Sequence, residues 1–229
     1  MKITFISHST FLLQIGKINL LVDPFLSKNP SFKKEFLYDY MNYPIHYILV
    51  THAHYDHVCD VELFSNIFSN ITVISNYEIS NVFDKKGIHT YGINYGSFLS
   101  FPFGKLKYVW AAHTSVFNDG TYGGNAGGFL LHTIDGNLYI SGDTSLTYEM
   151  KLIPYFGKLN VSILPIGGRF TMDVKDAFLA SKFLDCDKII GSHYNTFESI
   201  KIDKKKAINY FSKNNKDLIL LNTGENYFI

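Results

Sequence analysis

Residues 52–57, His-Ala-His-Tyr-Asp-His, place four metal-binding side chains within six positions. His52 and His54 are two residues apart, so in an extended segment both side chains leave on the same side. Asp56 and His57 come where the chain turns toward a helix, which can aim them back at the same volume. Together the four can grip two adjacent cations. Imidazole nitrogens mixed with carboxylate oxygens suit Zn²⁺, with Mn²⁺ or Fe²⁺ as alternatives, and neither Cys59 nor Cys186 is needed. Chance grouping of surface or core histidines is a poor explanation for such a dense set.

Three further residues share one placement rule. His113 follows the apolar run Tyr108-Val109-Trp110-Ala111-Ala112, Asp143 follows Leu138-Tyr139-Ile140-Ser141-Gly142, and His193 follows Ile189-Ile190-Gly191-Ser192. Each is a ligand-type residue at the C-terminal end of a strand pattern, where open α/β sheets bind their ligands. Taken singly, each reads more easily as structural. Converging with the histidine-rich loop, they complete a ligand set of His52, His54, Asp56, His57, His113, Asp143 and His193. Two divalent cations held this way lower the pKa of a shared water to near neutrality and polarise a carbonyl or phosphoryl oxygen. Asp56 and Asp143 are then the candidate catalytic carboxylates.

Arg169 is the single arginine of the chain. It lies beside Gly167-Gly168, after a strand pattern, where a planar, permanently charged fork can hold a substrate phosphate or carboxylate. The competing reading is an ordinary surface arginine. The glycine-rich stretch from Gly120 to Gly128 lacks the Gly-Lys-Ser/Thr ending of a phosphate loop and reads as a turn at the rim of a site. Cys59 reads as a small buried thiol, and His46, His89 and His132 have no ligand-type neighbours in sequence.

The elements that must position these residues follow from hydrophobic patterning. Lys2–Ser7, Thr10–Ile15 and Ile18–Asp23 read as strands, with a tight turn at Gly16-Lys17. After an aromatic-rich irregular stretch, with a helical turn or two near Phe32–Tyr38, the run Tyr47-Ile48-Leu49-Val50 leads into the histidine loop. Helix (Asp60–Phe68), strand (Ile71–Ser75) and helix (Tyr77–Phe83) come next. Consecutive strands follow around Phe98–Phe103, Lys105–Ala112, Gly127–His132 and Asn137–Ser141. The last third alternates again: helix Leu146–Tyr155, strand Val161–Pro165, helix Val174–Leu184, strand Lys188–Gly191, helix Asp203–Lys213, strand Leu218–Leu221. Strand-rich and mixed segments in both halves predict two sheets packed face to face with helices outside, an α/β, four-layer αββα sandwich formed as one domain over residues 1–229.

The 229 residues, 46% of them apolar and 16% aromatic, can bury a sizeable core. A net charge of +1, from 21 basic and 20 acidic residues, gives no electrostatic case for a nucleic-acid or anionic-membrane partner. The basic run Lys204–Lys206 reads as a solvated helix face. No window approaches a membrane span and the opening residues lack a leader pattern, so a cytoplasmic location with reduced thiols is expected. The expected partner is a small-molecule substrate, and the oligomeric state, a homo-oligomer included, is left open.

These motifs resemble the metallo-β-lactamase superfamily, and within it the UPF0173-type metal-dependent hydrolases. The resemblance rests on His8-Ser9-Thr10-Phe11-Leu12, Val22-Asp23-Pro24-Phe25, Thr51 to His57, Ala112-His113-Thr114-Ser115, Gly142-Asp143-Thr144, Leu164 to Gly168 with Phe170-Thr171-Met172, and His193 to Phe197. It spans residue 4 to about 200. It implies that His52, His54 and His113 hold one metal, that Asp56, His57 and His193 hold a second, and that Asp143 bridges them. It further implies Asp23 as a carboxylate partner for a ligating histidine, against the alternative of a turn residue before Pro24. His8 would touch the site from the first strand end or else be structural, and Asn195 joins Arg169 as a candidate substrate contact.

Within that superfamily, His54 argues against the redox branch, which carries Glu there. Length and charge leave little room for the nuclease branches, and no substrate-binding helical part of the glyoxalase kind is seen. Hydrolysis of a phosphodiester, phosphoester or lactone in a small, anionic substrate remains. The alternative, a non-catalytic metal-binding or regulatory protein that keeps the fold, is disfavoured by the intact ligand set.

Overall fold

The computed structural model describes residues 1–229. Its first sheet has the strand order β14-β1-β2-β3-β4-β5-β6, with β1 at Lys2–Ser7, β2 at Thr10–Ile15, β3 at Ile18–Val22, β4 at Tyr47–Leu49, β5 at Thr72–Asn76, β6 at Thr90–Ile93 and β14 at Asn226–Phe228. The second has the order β13-β12-β11-β10-β9-β8-β7. Its strands are β7 (Leu99–Phe101), β8 (Gly104–Trp110), β9 (Gly127–His132), β10 (Asn137–Ile140), β11 (Val161–Pro165), β12 (Lys188–Ser192) and β13 (Asp217–Ile219). Each sheet is mixed, with hairpins on one side and parallel pairs on the other.

Runs such as Phe11-Leu12-Leu13 and Leu20-Leu21-Val22 are apolar at every position because both faces of the sheet are covered. Alternate residues serve different cores. Phe11, Leu13, Leu20 and Val22 point into the core between the sheets, beside Leu106, Phe129 and Leu131 of the second sheet. Leu12 and Leu21 face an outer core with Phe64 of α3 (Val61–Ile67) and Phe83 of α4 (Tyr77–Asp84). Across the molecule, Leu130 and Leu164 meet Phe178 of α5 (Val174–Phe183) and Phe211 of α6 (Lys204–Ser212). Three cores between four layers give the αββα sandwich expected. The helices start where polar side chains cap them: Asn76 for α4, Asp173 for α5 and Asp203 for α6. No helix is long and apolar enough to cross a membrane.

The pairing makes β1, β3, β4 and β5 run the same way, and likewise β8, β10, β11 and β12. Their C-terminal ends meet along one edge, where His193 N–H donates to the His8 carbonyl at 3.0 Å and Gly127 N–H to the Thr51 carbonyl at 3.2 Å.

Some elements depart from the sequence pattern. The segment read as an α-helix at Leu146–Tyr155 is a 3₁₀ helix over Tyr148–Phe156 with Pro154 inside it; proline lacks the N–H that an α-helical ladder needs there. The turns near Phe32–Tyr38 lie later, as a 3₁₀ turn at Lys34–Phe36 and α1 at Leu37–Met41. The last strand predicted, Leu218–Leu221, is Asp217–Ile219, in register with Lys188–Ile190. β6 and β14 were not anticipated. In β6, Gly92 interrupts the apolar alternation and lets Tyr77 and Ser80 of α4 approach closely. β14 is three residues long and owes its conformation to pairing with β1 from the far end of the chain.

Candidate metal centre

Chain direction brings the ligand-type residues together. β4 ends at Leu49, and the chain runs on without regular structure until α2 (Tyr55–Val58) begins, with His54 as its extended N-cap. That helical start turns Asp56 and His57 toward the end of β4. His113 follows β8, Asp143 follows β10 across Gly142, and His193 follows β12. Gly142 has a φ of +62°, and a Cβ there would sit 2.7 Å from the Gly127 carbonyl and 2.8 Å from Thr51 Cβ. Only glycine makes the turn that delivers Asp143.

Three groups of side chains have ligand atoms within 4.8 Å of one another: His52, His54 and His113; His52, His57 and Asp143; and His8, Asp56, His57 and His193. His52 Nε2 faces His54 Nδ1 at 3.0 Å. His193 Nε2 lies 3.0 Å from Asp143 Oδ2 and 3.6 Å from Asp56 Oδ2, and His113 Nε2 lies 3.7 Å from Asp143 Oδ2. Asp143 therefore stands between the groups. His52, His57, Asp143 and His193 are buried, whereas His54, Asp56 and His113 are half-buried and form the mouth.

Outer partners fix the rings. The buried Asp23 accepts from Thr51 N–H at 2.8 Å, from Thr51 Oγ at 2.7 Å and from His57 Nδ1 at 2.8 Å. Thr51 Oγ1 also lies 3.0 Å from His52 Nδ1. One carboxylate thus orients two neighbouring imidazoles, one directly and one through a hydroxyl. His8 lies with Nε2 3.0 Å from Asp56 Oδ2 and Nδ1 2.9 Å from Thr196 Oγ1.

The carboxylates gather positive charge at this place, as protons on His193 and His57 that a bound metal would displace. Burial works against the charge of His193, but Asp143 and Asp56 outweigh it and raise the ring to about 9. Burial likewise opposes ionisation of Asp143, yet His193 and His57 hold it well below the usual carboxylate range. Burial and the neighbouring His57 keep His52 neutral, and burial takes His8 down to about 4. Two buried atoms, His57 Nε2 and Asp143 Oδ1, have no hydrogen-bond partner although they lie only 3.5 Å apart. A buried polar atom left unpaired costs about 1–3 kcal/mol, and a cation bound by both would offset that cost. Histidine nitrogens with carboxylate oxygens are the donor set for borderline divalent metals.

Residues outside the groups take other places. Arg169 is exposed, in left-handed backbone, with its guanidinium 5.3 Å from the Phe170 ring. Its loop is tied to the centre through Met172 N–H, which donates to the Thr144 carbonyl beside Asp143. The Asn195 side-chain carbonyl accepts from Ile202 N–H at 2.8 Å, so it fastens its own loop. His46 accepts from Asn19 N–H, His132 packs at a tilt against Phe98, and Cys59 is a half-buried free thiol. Sequence reading overlooked Thr51 and Thr196. Thr51 could have been found, since it adjoins the first ligand; Thr196 reaches His8 only through the fold.

Residues 2–193 match the Beta-lactamase superfamily domain. A UPF0173 metal-dependent hydrolase of Flavobacterium johnsoniae is 48% identical over 225 residues, 98% of each chain. The chain belongs to this family. A second UPF0173 metal-dependent hydrolase, from Methylacidiphilum infernorum, is 40% identical over the full length of both. Among solved structures, the metallo hydrolase Igni18 of Ignicoccus hospitalis superposes with a TM-score of 0.88 at 28% identity, covering 100% of this chain and 97% of that one. This UPF0173 protein is therefore a metal-dependent hydrolase of the metallo-β-lactamase superfamily, with a His/Asp centre able to hold metal at the joined strand ends.

Proposed function

We propose that this UPF0173 hydrolase holds two divalent cations, Zn²⁺ foremost with Mn²⁺ or Fe²⁺ as alternatives, and cleaves an ester-type bond in a small anionic substrate. His52, His54 and His113 would hold the first and Asp56, His57 and His193 the second, with Asp143 shared. The observation that carries this reading is the separation of the ligand atoms into two outer groups joined through His52, His57 and Asp143. When bound, the cations supply Lewis acidity and an ionised water at neutral pH.

The chain's own groups do the rest. Asp143, buried between the groups, sets their spacing and balances their charge. Asp56 reaches the mouth with its side chain 26% exposed and Oδ2 held by His8. It is the carboxylate placed to orient the attacking oxygen through a hydrogen bond, to take up the proton that oxygen gives off as it bonds the substrate, and to hand that proton to the leaving-group oxygen. All ion-pair partners of Asp56 and Asp143 are histidines, so positive charge for a phosphoryl or lactone oxygen would have to come from bound metal. This supports a phosphodiester, phosphoester or lactone with one anionic head. Two free cysteines support a reducing, cytoplasmic setting.

The test is metal analysis of wild type, His54→Ala and Asp143→Ala, with each protein reconstituted separately with Zn²⁺ and Mn²⁺ and assayed on a phosphodiester, lactone and thioester panel. Two equivalents in wild type, a loss of at least one in each variant, and a kcat/KM at least 100-fold lower in both variants are expected. A wild type that binds two equivalents and turns over none of the panel would overturn the hydrolytic reading.

A further inference from the structure

Three aromatic rings meet beside the Asp56 end of the centre. Phe25 is buried; Tyr55 and Phe197 stand over it at ring distances of 6.2 and 6.5 Å and remain 42% and 37% exposed. The Phe25 and Phe197 rings each lie 5.7 Å from His8, whose Nε2 is 3.0 Å from Asp56 Oδ2. Single exposed aromatics are ordinary on a surface, but a contiguous set at the mouth of a site is not.

The backbone that carries the rings is held in place. Tyr55 is the first residue of α2, next to Asp56. The loop carrying Phe197 is closed by Asn195 N–H to the Ile200 carbonyl, Ile202 N–H to Asn195 Oδ1, and Ser31 Oγ to the Thr196 carbonyl. Aromatic rings on a fixed backbone have few torsions to lose when a ligand settles on them, so their contact area converts efficiently into affinity.

We infer that Tyr55 and Phe197, backed by Phe25, form a slot that takes the flat aryl group of a substrate whose anionic head faces the metal ligands. The inference rests on the proposed hydrolytic reading and names its substrate class: esters with an aryl substituent on one side. The ion-pair partners of Asp56 are His8, His57 and His193, with no lysine or arginine among them.

Calorimetric titration of the Zn²⁺-loaded protein with phenylphosphonate and methylphosphonate tests it apart from turnover. Wild type should bind the phenyl compound about tenfold more tightly. Phe197→Ala and Tyr55→Ala should each cut that preference to about threefold or less, with methylphosphonate affinity and melting temperature unchanged, and Phe197→Tyr should restore it. Equal binding of the two phosphonates by wild type, or a full preference surviving in both alanine variants, overturns the slot. Ester turnover is read separately: a preference without turnover upholds the slot and removes the hydrolytic reading, while turnover without a preference removes the slot alone.

Discussion

Asp23 serves two histidines from one buried position. It fixes the His57 ring through Nδ1 and, by holding Thr51, also steadies the ring of His52. Removing its charge while keeping its shape leaves both rings free to tilt. Asp23→Asn is therefore expected to weaken metal binding about 10- to 100-fold, read by competition with a chromogenic chelator, with little change in the far-ultraviolet circular dichroism. Unchanged affinity would return Asp23 to the simpler role of a turn residue before Pro24. Residues of this kind are only partly legible in a sequence. Asp23 can be suspected because the family's first motif implies a carboxylate at this strand end, although a turn residue before Pro24 reads as well, and His52 to His57 because ligand types crowd together. The contact between His8 and Thr196 cannot be suspected, since 188 positions separate them, and neither residue type is unusual where it stands.

At the scale of elements, the site is a set of strand ends that turn sharply. His8, Asp23 and His193 all leave their strands with positive φ, at 58°, 44° and 52°. Such conformations cost non-glycine residues of order 1–3 kcal/mol and persist where the surroundings over-determine them. Gly142 makes the same kind of turn beside a crowded carbonyl. Gly142→Ala is expected to lower the unfolding free energy by about 2–4 kcal/mol, measured by urea denaturation of the metal-free protein. Gly16→Ala is the control: its φ is also positive, at +58°, but an added Cβ would meet nothing within 4 Å, so about 1 kcal/mol is expected there. Equal costs at the two positions would sink the crowding argument. Strand ends of this sort could be placed from apolar runs that stop abruptly at a polar residue. The 3₁₀ segment at Tyr148–Phe156 and the edge strands β6 and β14 could not, because a proline, a glycine and a distant pairing partner respectively decide their conformation rather than local pattern.

For the whole molecule, the provenance of the ligands matters more than their number. His52, His54, Asp56 and His57 belong to the first sheet, while His113, Asp143 and His193 belong to the second. Removing metal should loosen that edge before any other. Amide exchange after chelation should quicken at residues 51–57, 112–114, 142–144 and 192–196, and stay slow in the β2–β3 hairpin around Gly16, at the opposite edge. Uniform acceleration in both places would contradict this. At free metal 100-fold above its dissociation constant, the loaded form gains about 2.7 kcal/mol over the empty one. Bound metal would thus act as a clasp across the open side of a book whose spine is the apolar core between the sheets. Copies starved of metal would gape along that side, so a protease would nick them there first and metal supply would govern how long each copy survives.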